Sequence, residues 1–342
     1  MSVTLSDVAQ QAGVSIKTVS RVVNNQTDVS KPTRERVLQV IAALGYHPNA
    51  LARGLAQQRS HTIAVVSFGL DRYGPSRFVV GVERETEELG YSLLLTLLRR
   101  SRPGQSDAIL AHLSSRQVDG IIWQAPNVGD TQNWIRPERL AQLPPVVING
   151  LPNPHVTTVS VDNHHGAHAA VQHLASQGWR RIGFLAGPAE FPMSIERRQG
   201  WCDGLTAYGL DPDPALMAEG EWTAQGGAAA METLLARRPD VDAVFAFNDA
   251  MALGAMSVAR RAGRRVGYDL GVIGFDDAPD AAFYEPPLSS VHQKIADLGR
   301  EAVRALVRLI EAKLKGGSPP SPVLILSRPE VVVRRSSLRG VQ

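Results

Sequence analysis

The chain has 342 residues, 44 % of them hydrophobic and 20 % charged, a balance that supports two or three packed units and excludes a disordered chain. Its one cysteine, Cys202, excludes an intrachain disulfide framework and a cysteine-built metal cluster. The net charge of +3 is unevenly placed: residues 1–60 carry seven Lys or Arg against three acids and the remainder 29 against 30, so a basic head suited to a phosphate backbone precedes a near-neutral body.

No apolar run approaches the ~18 residues of a membrane span. The start, MSVTLSDVAQ, lacks the basic and apolar regions of a signal peptide, so a soluble cytoplasmic protein is expected. Along the chain, Thr4 or Ser6 is placed to cap a first helix ending at Ala12, and Gly13 to supply a tight turn. Ser15 then caps a second helix reaching about Asn24. Val8, Ala9, Val14, Val19 and Val22 make an apolar seam, while Lys17 and Arg21, four residues apart, share the opposite face. This is the pattern of a helix-turn-helix, whose second helix enters a DNA major groove. Arg21 has the fork to bond guanine O6 and N7, and Lys17 can reach the same atoms or a phosphate. Ile16 can pack on a thymine methyl, and Thr18 and Ser20 can bond phosphates. The rival reading is an ordinary helical hairpin with solvated charges. A third helix, Lys31–Leu44, has Ser30 as its cap, Pro32 in its first turn and Gly45 at its end. Its apolar face is Val37, Val40, Ile41 and Leu44. A fourth segment, Asn49–Gln57, is short and contains Gly54; such a helix forms only when docked on a partner.

From residue 61 onward, apolar strand-like runs alternate with amphipathic stretches. Strands are expected at Thr62–Phe68, Tyr91–Leu98, Gly120–Trp123, Val146–Asn149, Thr158–Val161, Arg181–Ala186, Ala243–Ala246, Gly271–Phe275, Val323–Leu326 and Glu330–Val333. Helices are expected at Ser76–Leu89, Ser106–Arg116, Asn163–Gln177, Ser194–Tyr208, Thr223–Ala236, Asp249–Ala262 and Ile295–Leu314. The alternation predicts parallel sheets covered on both faces, in two lobes. In such sheets the ligand sits beyond the carboxyl ends of the strands. There the chain places Phe68, Gln124, Asn149, Asn248, Asp249, Asp276 and Asp277. Carboxylates, amides and aromatic faces directed at one cleft suit a neutral polyol such as a sugar.

Other chemistries find little support. His165 and His168 lie three apart on one helix face, but no further ligand joins them, and VDNHHGAHAAV reads better as a helix start. Cys202 in ERRQGWCDGL belongs to an amphipathic helix. No GxSxG, GxxxxGK[ST] or HExxH run occurs. Neither a catalytic residue, a metal nor a cofactor is expected, and the protein is not read as an enzyme.

The motifs DVAxxAGVS, TVSRVVN, VSxxTRERV and LGYxPNALAR follow one another within residues 3–60. This head resembles that of the lactose-repressor (LacI/GalR) family. The resemblance continues through VDNHHG, HLASQGWRRIGFLAGP, ERRQGW, FNDAMALGAM, GVIGFDDAP and PPLSSVHQ. It implies an all-α helix-turn-helix head on an α/β, two-lobed, periplasmic-binding-protein-like body with parallel sheets. It further implies a homodimer on a near-palindromic operator in double-stranded DNA. The implied boundaries are a DNA-binding head at 1–47, a hinge helix and linker at 48–60, and an effector-binding and dimerisation body at 61–342. Lobe one takes 61–161 with 291–322, and lobe two takes 162–290 with 323–342. DNA contacts are assigned to Thr4, Ser15, Ile16, Lys17, Thr18, Ser20, Arg21, Asn24, Asn49, Ala52 and Leu55, the last as a wedge in the minor groove. Effector contacts are assigned to Phe68, Tyr73, Asn149, Arg197, Trp222, Asn248, Asp276 and Gln293. Asn149 stands where lactose-repressor-like members place an aspartate. The segment FGLDRYGPSRF, with Arg72, departs from the commoner aspartate–asparagine–proline run, and its GPSRF is closer to β-galactoside-sensing members. The function implied is a transcription regulator that represses carbohydrate-utilisation genes and is released by a small sugar. The alternatives are a co-repressor type sensing a non-sugar metabolite and a sugar-binding protein without DNA affinity.

Overall fold

The computed structural model of the chain describes residues 3–23, 26–46, 59–98, 104–129, 131–318 and 320–340. The chain divides into two units, Met1–His61 and Thr62–Gln342. Asn24, Asn49, Ala52, Leu55 and the expected fourth helix lie outside the described residues.

In the first unit, α1 (Leu5–Ala12), α2 (Ile16–Val23) and α3 (Lys31–Leu44) surround a small core of Val8, Ala9, Ala12, Val19, Val22, Val37 and Tyr46. Thr4, not Ser6, caps α1. Its hydroxyl accepts the Asp7 N–H at 3.4 Å while the Asp7 carboxylate accepts the Thr4 N–H at 2.8 Å, a reciprocal capping box. Gly13, at φ 63°, closes the helix in the left-handed conformation that a residue without Cβ adopts at little cost. Ser30 makes no cap bond. Its hydroxyl pairs with that of Thr33 at 2.9 Å, and Pro32 occupies the first turn of α3.

The second unit holds two six-stranded sheets. Its elements are β1 (Thr62–Ser67), α4 (Tyr73–Glu88), β2 (Ser92–Leu97), α5 (Gln105–Ser115), β3 (Gly120–Trp123), α6 (Pro137–Leu140), β4 (Val146–Asn149), β5 (Thr157–Val161), α7 (Asn163–Ser176), β6 (Ile182–Ala186), α8 (Pro192–Ala207), β7 (Met217–Glu219), α9 (Ala224–Arg237), β8 (Ala243–Ala246), α10 (Asp249–Arg261), β9 (Gly271–Asp276), β10 (Ser289–His292), α11 (Ile295–Leu314), β11 (Leu324–Ser327) and β12 (Glu330–Val332). The first sheet runs β11-β5-β4-β3-β1-β2, wholly parallel; the second runs β12-β10-β9-β8-β6-β7, parallel except for β12. Strands such as β3 and β6 are buried throughout, as parallel strands covered on both faces must be. In lobe one, separate apolar clusters on either face of the sheet contain Trp123 with Trp134, and Phe78 with Leu306. Lobe two centres on Phe184, Trp201, Phe245 and Phe275.

The structure departs from the expected elements where the chain is short or contains proline. α4 and α8 begin at Tyr73 and Pro192, before the expected Ser76 and Ser194, because proline is compatible with a first turn. The three-residue β7 and four-residue β10 are too brief to show a period in sequence. Pairing also moves two expected boundaries. Val291 and His292 pair with Phe275 and Asp276 in the second sheet, so that crossing follows His292. Leu324–Ser327 pair with Thr158–Val161 in the first sheet, so the last crossing follows Ser327.

Helices on the sheet faces meet through glycines. A Cβ on Gly254 of α10 would lie 1.9 Å from the Ala224 carbonyl oxygen of α9, whereas one on Gly74 of α4 would touch only Ile295 Cδ1 at 3.7 Å. Gly254→Ala should therefore cost about 1–3 kcal/mol through overpacking and lower the thermal midpoint by several degrees. Gly74→Ala should leave the midpoint unchanged or raise it in the same calorimetric scan.

Candidate functional sites in the head and the cleft

The head presents its basic residues on the exposed side of α2. Ile16 is 52 % exposed despite being apolar, and Lys17 is exposed beside it. Ser15 caps α2 through a 3.1 Å bond from the Thr18 N–H, and the two hydroxyls lie 2.9 Å apart. Arg21 pairs with Asp28 at 3.1 Å. An exposed pair of this kind is worth little, so the guanidinium is available to a stronger acceptor. Thr4, Ser15 and Thr18 thus serve the helix ends, while Ile16, Lys17 and Arg21 lie together on α2 as the candidate reading surface. Ser20 is half-buried on the same helix.

In the body, Phe68, Tyr73, Asn149, Arg197, Trp222, Asn248, Asp276 and Gln293 line one cavity of about 570 Å3. They arrive from carboxyl ends of strands in both sheets and from helix starts: Asn149 ends β4, Asp276 ends β9, Tyr73 opens α4 and Asn248 precedes α10. Both lobes therefore supply the walls.

Arg197 is 4 % exposed. Its Nε donates to Asn163 Oδ1 at 2.9 Å and its Nη1 to the Phe247 carbonyl at 2.5 Å. Its guanidinium carbon lies 4.2 Å and 3.5 Å from the ring centres of Phe247 and Phe275. Burial lowers its pKa to about 10, against the attraction of Asp276 and Glu196, so it is cationic at neutral pH. Asp276 lies at φ 120° and Asp277 at φ 53°, conformations costly for residues with a Cβ. Gln293 Nε2 donates to Asp276 Oδ1 at 2.5 Å. Burial and the neighbouring Asp249 push Asp276 up to about 8, against the pull of Arg197. Burial likewise raises Asp249 to about 7, although Ser290 Oγ donates to it at 2.5 Å and the Ala278 N–H at 2.7 Å.

Several side chains are already engaged. Asn248 Oδ1 accepts the Met251 N–H at 2.8 Å and its Nδ2 donates to the Trp222 carbonyl at 3.1 Å, so it caps α10 and ties down the Trp222 loop. Trp222 is 7 % exposed and packed in the lobe-two core. Asn163 and Glu196, absent from the sequence-based set, also line the cavity, with Asn163 Nδ2 donating to Glu196 Oε2 at 2.9 Å. Phe191, Phe247 and Arg72 add to the wall. Asn163 lies in the quoted VDNHHG motif and Arg72 in FGLDRYGPSRF; no local signal distinguishes Phe191 or Phe247 from core. A buried cation, raised carboxyls and aromatic walls can bond and stack on an uncharged molecule bearing hydroxyls. Among the described residues no group of His, Cys, Asp and Glu could hold a metal ion.

Residues 4–49 match the family described as bacterial regulatory proteins, lacI family, and residues 171–337 match the periplasmic binding protein-like domain. The chain is 38 % identical over 341 residues to the HTH-type transcriptional regulator CelR of Thermobifida fusca, covering 97 % of this chain and 98 % of that protein. A solved CelR–cellobiose complex superposes with a TM-score of 0.72 at 36 % identity, covering 98 % of this chain and 99 % of that one. The lac repressor dimer bound to operator and the anti-inducer ONPF superposes with a TM-score of 0.88 at 31 % identity, covering 99 % and 100 %.

Two outcomes follow from these geometries. Arg21→Ala should cost about 1–3 kcal/mol on a duplex selected from a random pool and much less on unselected DNA, measured by titration at fixed salt; equal losses on both would show a phosphate contact. For the cleft, unfolded aspartate titrates near ~3.9, whereas Asp276 in the folded protein titrates at about 8. Between these values the folded state holds the extra proton, so this group's contribution to stability falls as pH rises. The stability of Asp276→Asn relative to the wild type should therefore grow from pH 4 to pH 8; a constant difference in denaturant titrations would contradict it.

Proposed function

Because the chain belongs to the lacI family of bacterial regulatory proteins and is a sequence-specific DNA-binding transcription regulator, we propose that it represses carbohydrate-utilisation genes and is released from its operator by a neutral disaccharide of the cellobiose type. Two copies place their α2 helices in successive half-sites of a near-palindromic duplex. Ile16, Lys17 and Arg21 meet base edges, and Thr4, Ser15, Thr18 and Ser20 meet phosphates. Asn24 completes the reading surface, and a hinge over Asn49–Gln57 inserts Leu55 into the minor groove beside Ala52. The protein acts in the cytoplasm, on DNA, and carries out no reaction on its ligand.

The observation that carries the effector reading is the buried Arg197 facing the raised carboxyl of Asp276 in a cavity of about 570 Å3. Arg197 donates to ring hydroxyls and Asp276 accepts from them, while Asn149, Asn248 and Gln293 offer amides. Phe68, Tyr73 and Trp222 cover the apolar ring faces. The cavity lies in the size range that encloses small organic ligands, roughly 300–1,000 Å3, and has room for two pyranose rings. Cellobiose is the ligand named for the solved CelR relative, which supports the same chemical class here. Binding acts on DNA affinity because the ligand touches both lobes and favours one of their relative positions.

In a mobility-shift assay on a palindromic duplex, millimolar cellobiose should lower operator affinity by about 5- to 150-fold, the range of typical allosteric coupling. Arg197→Lys keeps the charge but loses the planar fork, so it should bind the operator normally and not respond. A thermal-shift screen in which no mono- or disaccharide stabilises the wild type would sink the sugar reading.

A further inference from the structure

Arg72 has no place in that effector set, yet it spans the cleft. It precedes α4 at the edge of lobe one, and its guanidinium carbon lies 4.0 Å from the ring centre of Trp222 in lobe two and 5.2 Å from that of Phe68 in lobe one. Phe68 stacks on Phe191 of lobe two with centres 6.1 Å apart, and Phe191 stands edge-on to Trp222 at 4.4 Å. Two side chains from each lobe therefore interlock at the rim of the cavity. The guanidinium rests against Gly69, whose backbone φ of +65° suits a residue without Cβ. Asp71 and Glu221 supply negative charge nearby, while partial burial still lowers the Arg72 pKa.

The consequence concerns Trp222. Its ring lines the cavity but is 7 % exposed: it packs in the lobe-two core beside Phe247, and on the cavity side Arg72 lies over it with Phe191 edge-on. A pyranose stacks on an indole through its C–H face at the same separation as a guanidinium. Both need the same aromatic surface and cannot hold it together. We propose that Arg72 is an internal competitor for the effector: it occupies the stacking face of Trp222 and clasps the two lobes until a sugar displaces it. This rests on reading the cavity as a sugar site. The competition raises the sugar concentration needed for release, and it makes each binding event break a lobe-to-lobe contact. Part of the binding free energy is thereby spent on moving the lobes.

The test uses the full chain, Arg72→Ala, and Arg72→Ala combined with Trp222→Phe. Trp123, Trp134, Trp179 and Trp201 are at most 5 % exposed and do not line the cavity, so Trp222 is the tryptophan that removal of Arg72 uncovers. In the ligand-free protein, Arg72→Ala should raise acrylamide quenching of tryptophan emission, and the double variant should not. Calorimetry with cellobiose should then give Arg72→Ala a Kd about 2- to 30-fold below the wild type, the span of a cation–π contact. Unchanged quenching would remove the clasp, and weaker cellobiose binding by Arg72→Ala would make Arg72 a ligand contact instead of a competitor. If neither protein binds cellobiose, it is the sugar reading that fails; quenching judges the clasp without any ligand.

Discussion

A guanidinium taken out of water must find acceptors for its N–H groups, and the lobe-two side of the cleft is arranged around that demand. Arg197 reaches Asn163 on α7 and the carbonyl of Phe247 at the end of β8, and it is held between the rings of Phe247 and Phe275. Removing one partner from a buried charge costs about 3–5 kcal/mol, so these contacts fix one another. Asn163 can face Arg197 because α7 and α8 approach closely; a Cβ on Gly200 would lie 2.3 Å from the His164 carbonyl oxygen. Small residues at a helix contact thus decide where a charge sits in the cavity.

The carboxyl of Asp276 opposes this cation and depends on a second support. A strand that ended normally at β9 would carry its next side chains elsewhere. Instead Asp276 and Asp277 take positive φ, and Asp277 is held by Arg334 at 2.8 Å, by His292 Nδ1 at 3.0 Å and, through its N–H, by Ser290 Oγ at 3.0 Å. These partners come from β10 and from the segment after β12, so two late pieces of chain over-determine one strained turn. The strain falls at the cavity, and its compensation lies in the sheet behind it.

Much of this was legible in the sequence because it is periodic or local. The helix starts at Thr4, Ser15 and Asn248 follow from side chains that bond backbone N–H groups two or three residues on. The short apolar runs at β3 and β6 suit strands covered on both faces. What could not be read depends on pairing across long separations. Nothing in LILS says that Leu324–Ser327 joins Thr158–Val161, since an edge strand of alternating exposure fits either sheet. The site divides in the same way. Residues at strand ends, such as Asn149 and Asp276, were predictable from topology, whereas Phe191 and Phe247 look like core until the lobes bring them to the cleft. The burial of Trp222 beneath Arg72 required both lobes in place.

The chain passes between the sheets at 162, at 293–294 and at 328–329, and these crossings are also where the cavity is built. Asn163 follows the first and Gln293 lies in the second, with Ile295 and Leu298 of α11 lining the same cavity just beyond. The crossings are tied to one another by charge: Lys294 meets Glu330 at 2.9 Å, and Arg328 approaches Asp162 at 3.9 Å. A change of angle between the lobes must be absorbed by backbone torsions in these short segments. A ligand bonded to Gln293, or to Arg197 and hence to Asn163, therefore bears directly on the residues that set that angle. On the proposed reading, recognition and movement share side chains, and no separate path is needed to carry a signal from a distant pocket to these crossings.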